Sequence, residues 1–282
     1  MIIANISTPL LGLVDTAVMG HLDNASFLAA VALAGLIFNF LFWGFGFLRM
    51  GTAGLSAQAF GANNTLELNA ILLRAMVLAV SISFLLLVFQ QSIAAFSFYL
   101  INCNDSIEPL AQQYFYIRIW SAPACLCQYV ILGWFLGRQN TTSPLLIVVT
   151  TNACNICLDL LFVVHYGMNT EGVALASVLA EYIGLIFGVL LVIRNIPVSS
   201  LSLSWPHLLQ ADKIKAMLLI NGHLFVRTLC LIFTFSFFTV QGAKFGSAIL
   251  AANAILMNFQ TFMAYALDGF AHAAEALIGR AL

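Results

Sequence analysis

Apolar residues run along this chain in long blocks, with short polar breaks between them, and few windows alternate polar with apolar. A helix that crosses a bilayer needs about 20 predominantly apolar residues. Eight stretches reach that length, near residues 1–21, 26–60, 68–101, 109–137, 144–166, 171–194, 214–241 and 246–282. The breaks have turn compositions: His21-Leu22-Asp23-Asn24, Gly61-Ala62-Asn63-Asn64-Thr65, Asn102-Cys103-Asn104-Asp105, Arg138-Gln139-Asn140-Thr141-Thr142 and Gly167-Met168-Asn169-Thr170. The pattern predicts an all-α, polytopic membrane helix bundle with eight spans. The second, third and eighth spans exceed the bilayer thickness and should tilt or bend, and Gly51 and Gly54 offer a bend in the second. The longest break, from Asn195 to Lys213, holds two prolines and four serines and reads as a linker.

Composition narrows the function. Of 282 residues, 62% are apolar and 7% charged, against roughly 25% charged in a soluble domain. Ten Lys or Arg against eleven Asp or Glu leave a net charge of -1, so there is no basic stripe to hold phosphates, and nucleic-acid binding is excluded. An embedded enzyme would need a nucleophile beside a base, or a metal cluster, and neither pattern occurs. Cys154-x-x-Cys157 has metal or redox spacing but lies in an apolar span with no second pair, so packing is the reading, and the scattered histidines give no metal site.

Arg74, Arg138, Arg194, Lys213, Lys215 and Arg280 fall at alternate span ends, and Asp23, Asp105, Glu108 and Glu171 at the opposite ones. Basic residues are retained inside, which makes the N-terminus cytoplasmic. The first span starts at residue 1 without a charged flank and the last stops at Leu282 without a polar tail, which reads as a chain cut at both ends.

A charge near the bilayer centre costs about 2.5 to 3.5 kcal/mol, so each intramembrane ionisable residue is a candidate for function. Asp15 lies ~9 Å below the outer end of the first span, and Asp159 ~10 Å below that of the fifth, counting 1.5 Å per residue. Asn152 and Asn155 stand seven and four residues before Asp159, on one helical face. Thr8 stands seven before Asp15, and Pro9 removes a backbone bond below it. Desolvation disfavours a charged carboxylate, so such a pair can exchange a proton or cation while an amide such as Asn155 steadies it. Arg118 and Arg227 read as structural partners for an acid on an adjacent helix, with Glu181 eligible, and all three count as polar cavity residues with Thr8 and Asn152. Arg49, Asp268 and Glu275 read as interfacial.

Shifting the chain by 222 residues aligns Leu28-Ala29-Ala30-x-Ala32 with Leu250-Ala251-Ala252-x-Ala254, which suggests a six-helix repeat joined by the linker. Repeats around buried acids suit secondary transport. Leu13-Val14-Asp15-Thr16-Ala17-Val18-Met19-Gly20-His21, Gly54-Leu55-Ser56-Ala57-Gln58-Ala59-Phe60-Gly61, Gly133-Trp134-Phe135-Leu136-Gly137 and Asn155-x-x-x-Asp159 resemble the multidrug and toxic compound extrusion (MATE) family. Leu267-Asp268-Gly269-Phe270-Ala271 onward resembles its DinF branch.

The resemblance implies a twelve-helix, two-lobe transporter of the bacterial inner membrane, eight spans of which are present. Residues 1–194 would be the N-lobe, 195–213 a cytoplasmic linker and 214–282 the first two helices of the C-lobe. It would export amphipathic or cationic compounds against entering H+ or Na+, as a monomer in lipid and without a cofactor. Asp15 would carry the coupling proton, Pro9 would mark the bend, and Asn155 with Asp159 would complete the cation site. The alternatives are a flippase for lipid-linked intermediates and an inactive truncated product.

Overall fold

The computed structural model describes residues 25–101, 107–196, 208 and 210–244, with scattered positions between 253 and 278. The first predicted span, with Thr8, Pro9 and Asp15, lies outside the described residues, as do Asp268 and Glu275. Nine helices are present among the described residues. They are α1 (Ala25–Gly44), α2 (Phe47–Gly61), α3 (Thr65–Val88), α4 (Gln90–Ile101), α5 (Glu108–Arg118), α6 (Ala122–Gly137), α7 (Thr142–Asp159), α8 (Thr170–Asn195) and α9 (Ala211–Lys244). Six stretches are long and apolar enough to cross a membrane: Ser26–Gly61, Thr65–Val88, Glu108–Gly137, Thr142–His165, Thr170–Asn195 and Ala211–Phe238. They match the second to seventh predicted spans.

Three of the predicted turns fall among the described residues and reverse the chain as their compositions demand. Asn63, Gln139 and Gly167 take φ of 54°, 59° and 67° in them, a region that suits Gly and tolerates Asn. The α2–α3 and α6–α7 turns are built alike. Asn64 N donates to Ala59 O at 2.9 Å and Asn140 N to Phe135 O at 3.0 Å, which closes each helix C-terminus. The same two asparagines then cap the next helix, Asn64 Oδ1 accepting from Glu67 N and Asn140 Oδ1 from Ser143 N, each at 3.0 Å.

The long second span is interrupted at Phe45–Gly46 and not at Gly51 or Gly54. Phe45 N donates to Phe42 O, Gly46 N to Trp43 O and Leu48 N to Phe45 O, all at 3.0 Å and all one residue tighter than an α-helix. Gly51 serves packing instead: the Oδ1 of Asn221 on α9 occupies the space that a Cβ there would fill. The break leaves Arg49 half-buried in the first turn of α2.

The most extensive helix pairing joins α2 to α6, and α7 to α8 follows. Gly133 and Gly137 make the first possible. A Cβ on Gly133 would strike the Arg49 carbonyl and lie 3.1 Å from Thr52 Cβ, and one on Gly137 would lie 2.5 Å from Ser56 Cβ and 2.6 Å from Ala53 O. Small residues four apart let two backbones approach where lipid supplies no hydrophobic force between helices. Trp134 and Phe135, fully buried between these glycines, fill the core beside them, and the Trp134 indole donates to Leu68 O at 3.1 Å.

At the basic end of the bundle Arg74 is buried and paired, not free at a span end. Its Nη1 lies 2.8 Å from Glu67 Oε1, its Nε donates to Leu208 O at 3.0 Å, and Lys213 lies 3.7 Å from the same carboxylate. These bonds tie the start of α9 to α3. Arg138 lies over the Trp134 ring at 4.3 Å, and partial burial lowers its guanidinium from the usual arginine value.

Replacing Gly133 or Gly137 by Val should cost about 2 to 3 kcal/mol, since the intruding atoms meet backbone that cannot yield. Gly35→Ala, with open space at its Cβ, should stay within about 0.5 kcal/mol. Thermal melting in detergent checks both; a neutral Gly137→Val would contradict the close approach.

Candidate functional site

Asp159 is the last residue of α7, and a π-helical turn, Leu160–His165, follows it directly. Such widened turns are rare and cluster at functional positions. The Asp159 side chain is 0% exposed and Asn155, one turn earlier, is 2% exposed. With the Asn155 amide nitrogen facing the acid, it donates to Asp159 Oδ2 at 3.2 Å, and its oxygen accepts from Ser177 N on α8 at 3.2 Å. Ser177 Oγ lies 3.3 Å from the same amide. The predicted pairing of Asn155 with Asp159 is therefore present in the geometry.

The third member of the α7 face is Thr151, buried at 8%, and Asn152 stands half-buried at its edge. Buried polar positions recur every four residues, at 151, 155 and 159, and Asn152, seven residues before Asp159, stays on the same side of the helix.

A second polar centre lies one helical turn along α8, at Glu181, four residues after Ser177. Gln128 on α6 donates to the Glu181 carboxylate at 2.8 Å and to its main-chain oxygen at 2.7 Å. Arg118, the last residue of α5, lies 3.6 Å from the other carboxylate oxygen. Its Nη1 also donates to the Ser121 hydroxyl in the 3-10 turn Ile119–Ser121 that joins α5 to α6. The guanidinium stands 5.8 Å from the ring centre of Phe38 and 5.7 Å from that of Phe42, both on α1. Gly184 completes the arrangement, because a Cβ there would strike Thr151 Oγ1 and lie 3.0 Å from Gln128 Nε2.

Of the two arginines considered as partners for Glu181, the fold brings up Arg118. Arg227 is exposed on α9, with its Nη2 3.8 Å from Met50 Sδ, and does not meet the acid. Ser177 and Gln128 were not legible as site residues, although each had a signal. Gln128 is the sole amide in the apolar run Ala122–Gly137, and Ser177 shares the i, i+4 face of Glu181.

A guanidinium and a carboxylate that shield one another should be costly to separate and cheap to remove together. Arg118→Met and Glu181→Gln should each destabilise by about 2 kcal/mol, while the double variant recovers at least about 1 kcal/mol of the sum. Melting temperatures of the three variants decide; strictly additive losses would mean that the two groups do not interact.

The MatE family model matches residues 1–161 of the chain. Over its whole length the chain is 41% identical to DNA damage-inducible protein F of Escherichia coli K12 and covers 61% of that protein. It is 28% identical to Protein DETOXIFICATION 44, chloroplastic, of Arabidopsis thaliana, over 96% of this chain and 53% of the relative. A solved MATE in the bent conformation superposes with a TM-score of 0.86 at 21% identity, over 100% of this chain and 63% of that one. The Vibrio cholerae MATE transporter VcmN in the bent form gives 0.81 at 21% identity, over 99% and 63%. The chain therefore spans about three-fifths of the length of E. coli protein F and of both solved transporters, and about half that of the plant relative. With the family model covering more than half of its residues and the DinF relative aligned throughout, this multi-pass helical membrane protein belongs to the MATE family.

Proposed function

We propose that the complete gene product is a secondary active antiporter of the bacterial inner membrane. It exports amphipathic or cationic compounds in exchange for H+ or Na+. The observation that carries this reading is the Asp159 carboxylate, wholly withdrawn from solvent on a membrane helix and faced by the Asn155 amide, which Ser177 steadies. A charged carboxylate held out of solvent is costly, and an entering proton or sodium ion lowers that cost. Family membership supports the same reading.

In the unloaded site the Asn155 amide donates to the carboxylate and offsets part of its charge. Neutralising Asp159 weakens that charge-assisted bond. The altered bonding acts where α7 passes into its π-helical turn, a point at which helix register can adjust. The exchange thereby biases the packing of α7 against α8, and alternating access follows from a shift between two packings. Asp15 and Pro9 belong to this mechanism through the sequence, as the second acid and the bend of the first span. The N-terminus is cytoplasmic, the protein works as a monomer surrounded by lipid, and the coupling ion takes the place of a cofactor.

Asp159→Asn in the complete gene product should reduce gradient-driven dye movement in inside-out vesicles to background, with folding unchanged. Asn155→Ala should lower it partially. Imposing a proton or a sodium gradient separately identifies the ion. Wild-type movement in the Asp159→Asn variant would remove Asp159 from the mechanism.

A further inference from the structure

The Arg118 guanidinium occupies a cage whose chemistry suits a free cation. Two phenylalanine faces, four residues apart on α1, lie at 5.7 and 5.8 Å from its central carbon, within the range where a ring attracts a cation. The Glu181 carboxylate lies opposite, but at 3.6 Å, well beyond the 2.7–2.9 Å of a full guanidinium–carboxylate bond. The carboxylate is instead held by Gln128 at 2.8 Å, so it keeps its position without Arg118. Arg118 in turn has bonds of its own at the end of α5: the Ser121 hydroxyl accepts from it and the Tyr114 phenol faces it. Arg118 is therefore shared between Glu181 and anchors of its own at the end of α5. Arg118 and Glu181 also keep 14% and 20% of their side-chain surface, whereas Asp159 keeps 0%.

We propose that Phe38, Phe42 and Glu181 form a binding subsite for planar organic cations bearing a guanidinium or amidinium group, and that Arg118 fills it as a tethered competitor when no cargo is present. The inference rests on the transport reading above, to which it adds a cargo subsite and a residue that sets its specificity. An entering planar cation takes the ring faces and the free carboxylate oxygen, and Gln128 keeps the carboxylate in place. Arg118 withdraws to Ser121 and Tyr114. One positive charge replaces another beside Glu181, so the exchange leaves no bare acid behind.

The test titrates ethylguanidinium chloride into the purified complete gene product against equimolar sodium chloride, by calorimetry, with melting temperature as the second readout. Wild type should bind weakly because Arg118 competes. Arg118→Lys, which keeps the charge and loses the planar fork, should bind about threefold tighter, and Arg118→Met about tenfold tighter. Adding Glu181→Gln to Arg118→Met should return affinity to the wild-type level or below. A merely structural arginine predicts the opposite order, since its loss would loosen the cage. Equal or weaker binding in both Arg118 variants overturns the proposal; if Arg118→Met does not fold, the comparison of Arg118→Lys with wild type decides alone. Failure of the transport reading then shows in vesicle transport, and failure of this one in the Arg118 series.

Discussion

The close approach of α2 and α6 is the contact on which the rest of the bundle depends. Gly133 and Gly137 remove the Cβ atoms that would otherwise hold α6 away from the Arg49 and Ala53 carbonyls. Where lipid is as apolar as the side chains, helix association comes from packing and hydrogen bonds rather than from expelling water. Seating α6 this deeply turns Gln128 toward α8, where it meets Glu181. Through the short 3-10 turn Ile119–Ser121 it also fixes the end of α5, from which Arg118 projects between Glu181 and the α1 rings. A pair of glycines thus positions a polar centre built from four helices.

Two polar centres follow from that seating, one helical turn apart on α8. Ser177 serves the first, with Asn155 and Asp159, and Glu181 the second, with Gln128 and Arg118. They differ in a way that decides their chemistry. The first sets a carboxylate beside the Asn155 amide and is closed to solvent, conditions that favour binding of a small ion. The second already contains a cation, is braced by aromatic rings and is partly open, conditions that favour exchange of one organic cation for another. Thr151 and Gly184 meet beyond Glu181, on the side away from Ser177, and keep α7 and α8 close there.

Helices and turns were largely legible because their causes are local. Five predicted spans recur with ends shifted by at most three residues, whereas the third, expected to run to residue 101, ends at Val88, where a turn at Phe89 starts α4; the described Asn-containing breaks became turns and caps because Asn tolerates a left-handed backbone and bonds neighbouring amides. The acids and arginines within the lipid depth stood out for the same kind of reason: such groups are rare in apolar runs. Gly51 misled because a glycine in a helix can either bend it or admit a neighbour, and only the presence of Asn221 selects between the two.

The sequence by itself determined the number and extent of the described spans, the turn chemistry between them and the presence of Asp159 with Asn155 on one face, since these depend on residues within a few positions of each other. Tertiary structure decided which partner each acid meets. Arg118 reaches Glu181 and Arg227 does not, Ser177 and Gln128 join the polar centres, and Thr151 is buried on the α7 face beside a half-buried Asn152. Those outcomes follow from the rotation and crossing of whole helices. Glycine contacts between segments about 80 residues apart in the chain set that rotation, and no local pattern encodes it.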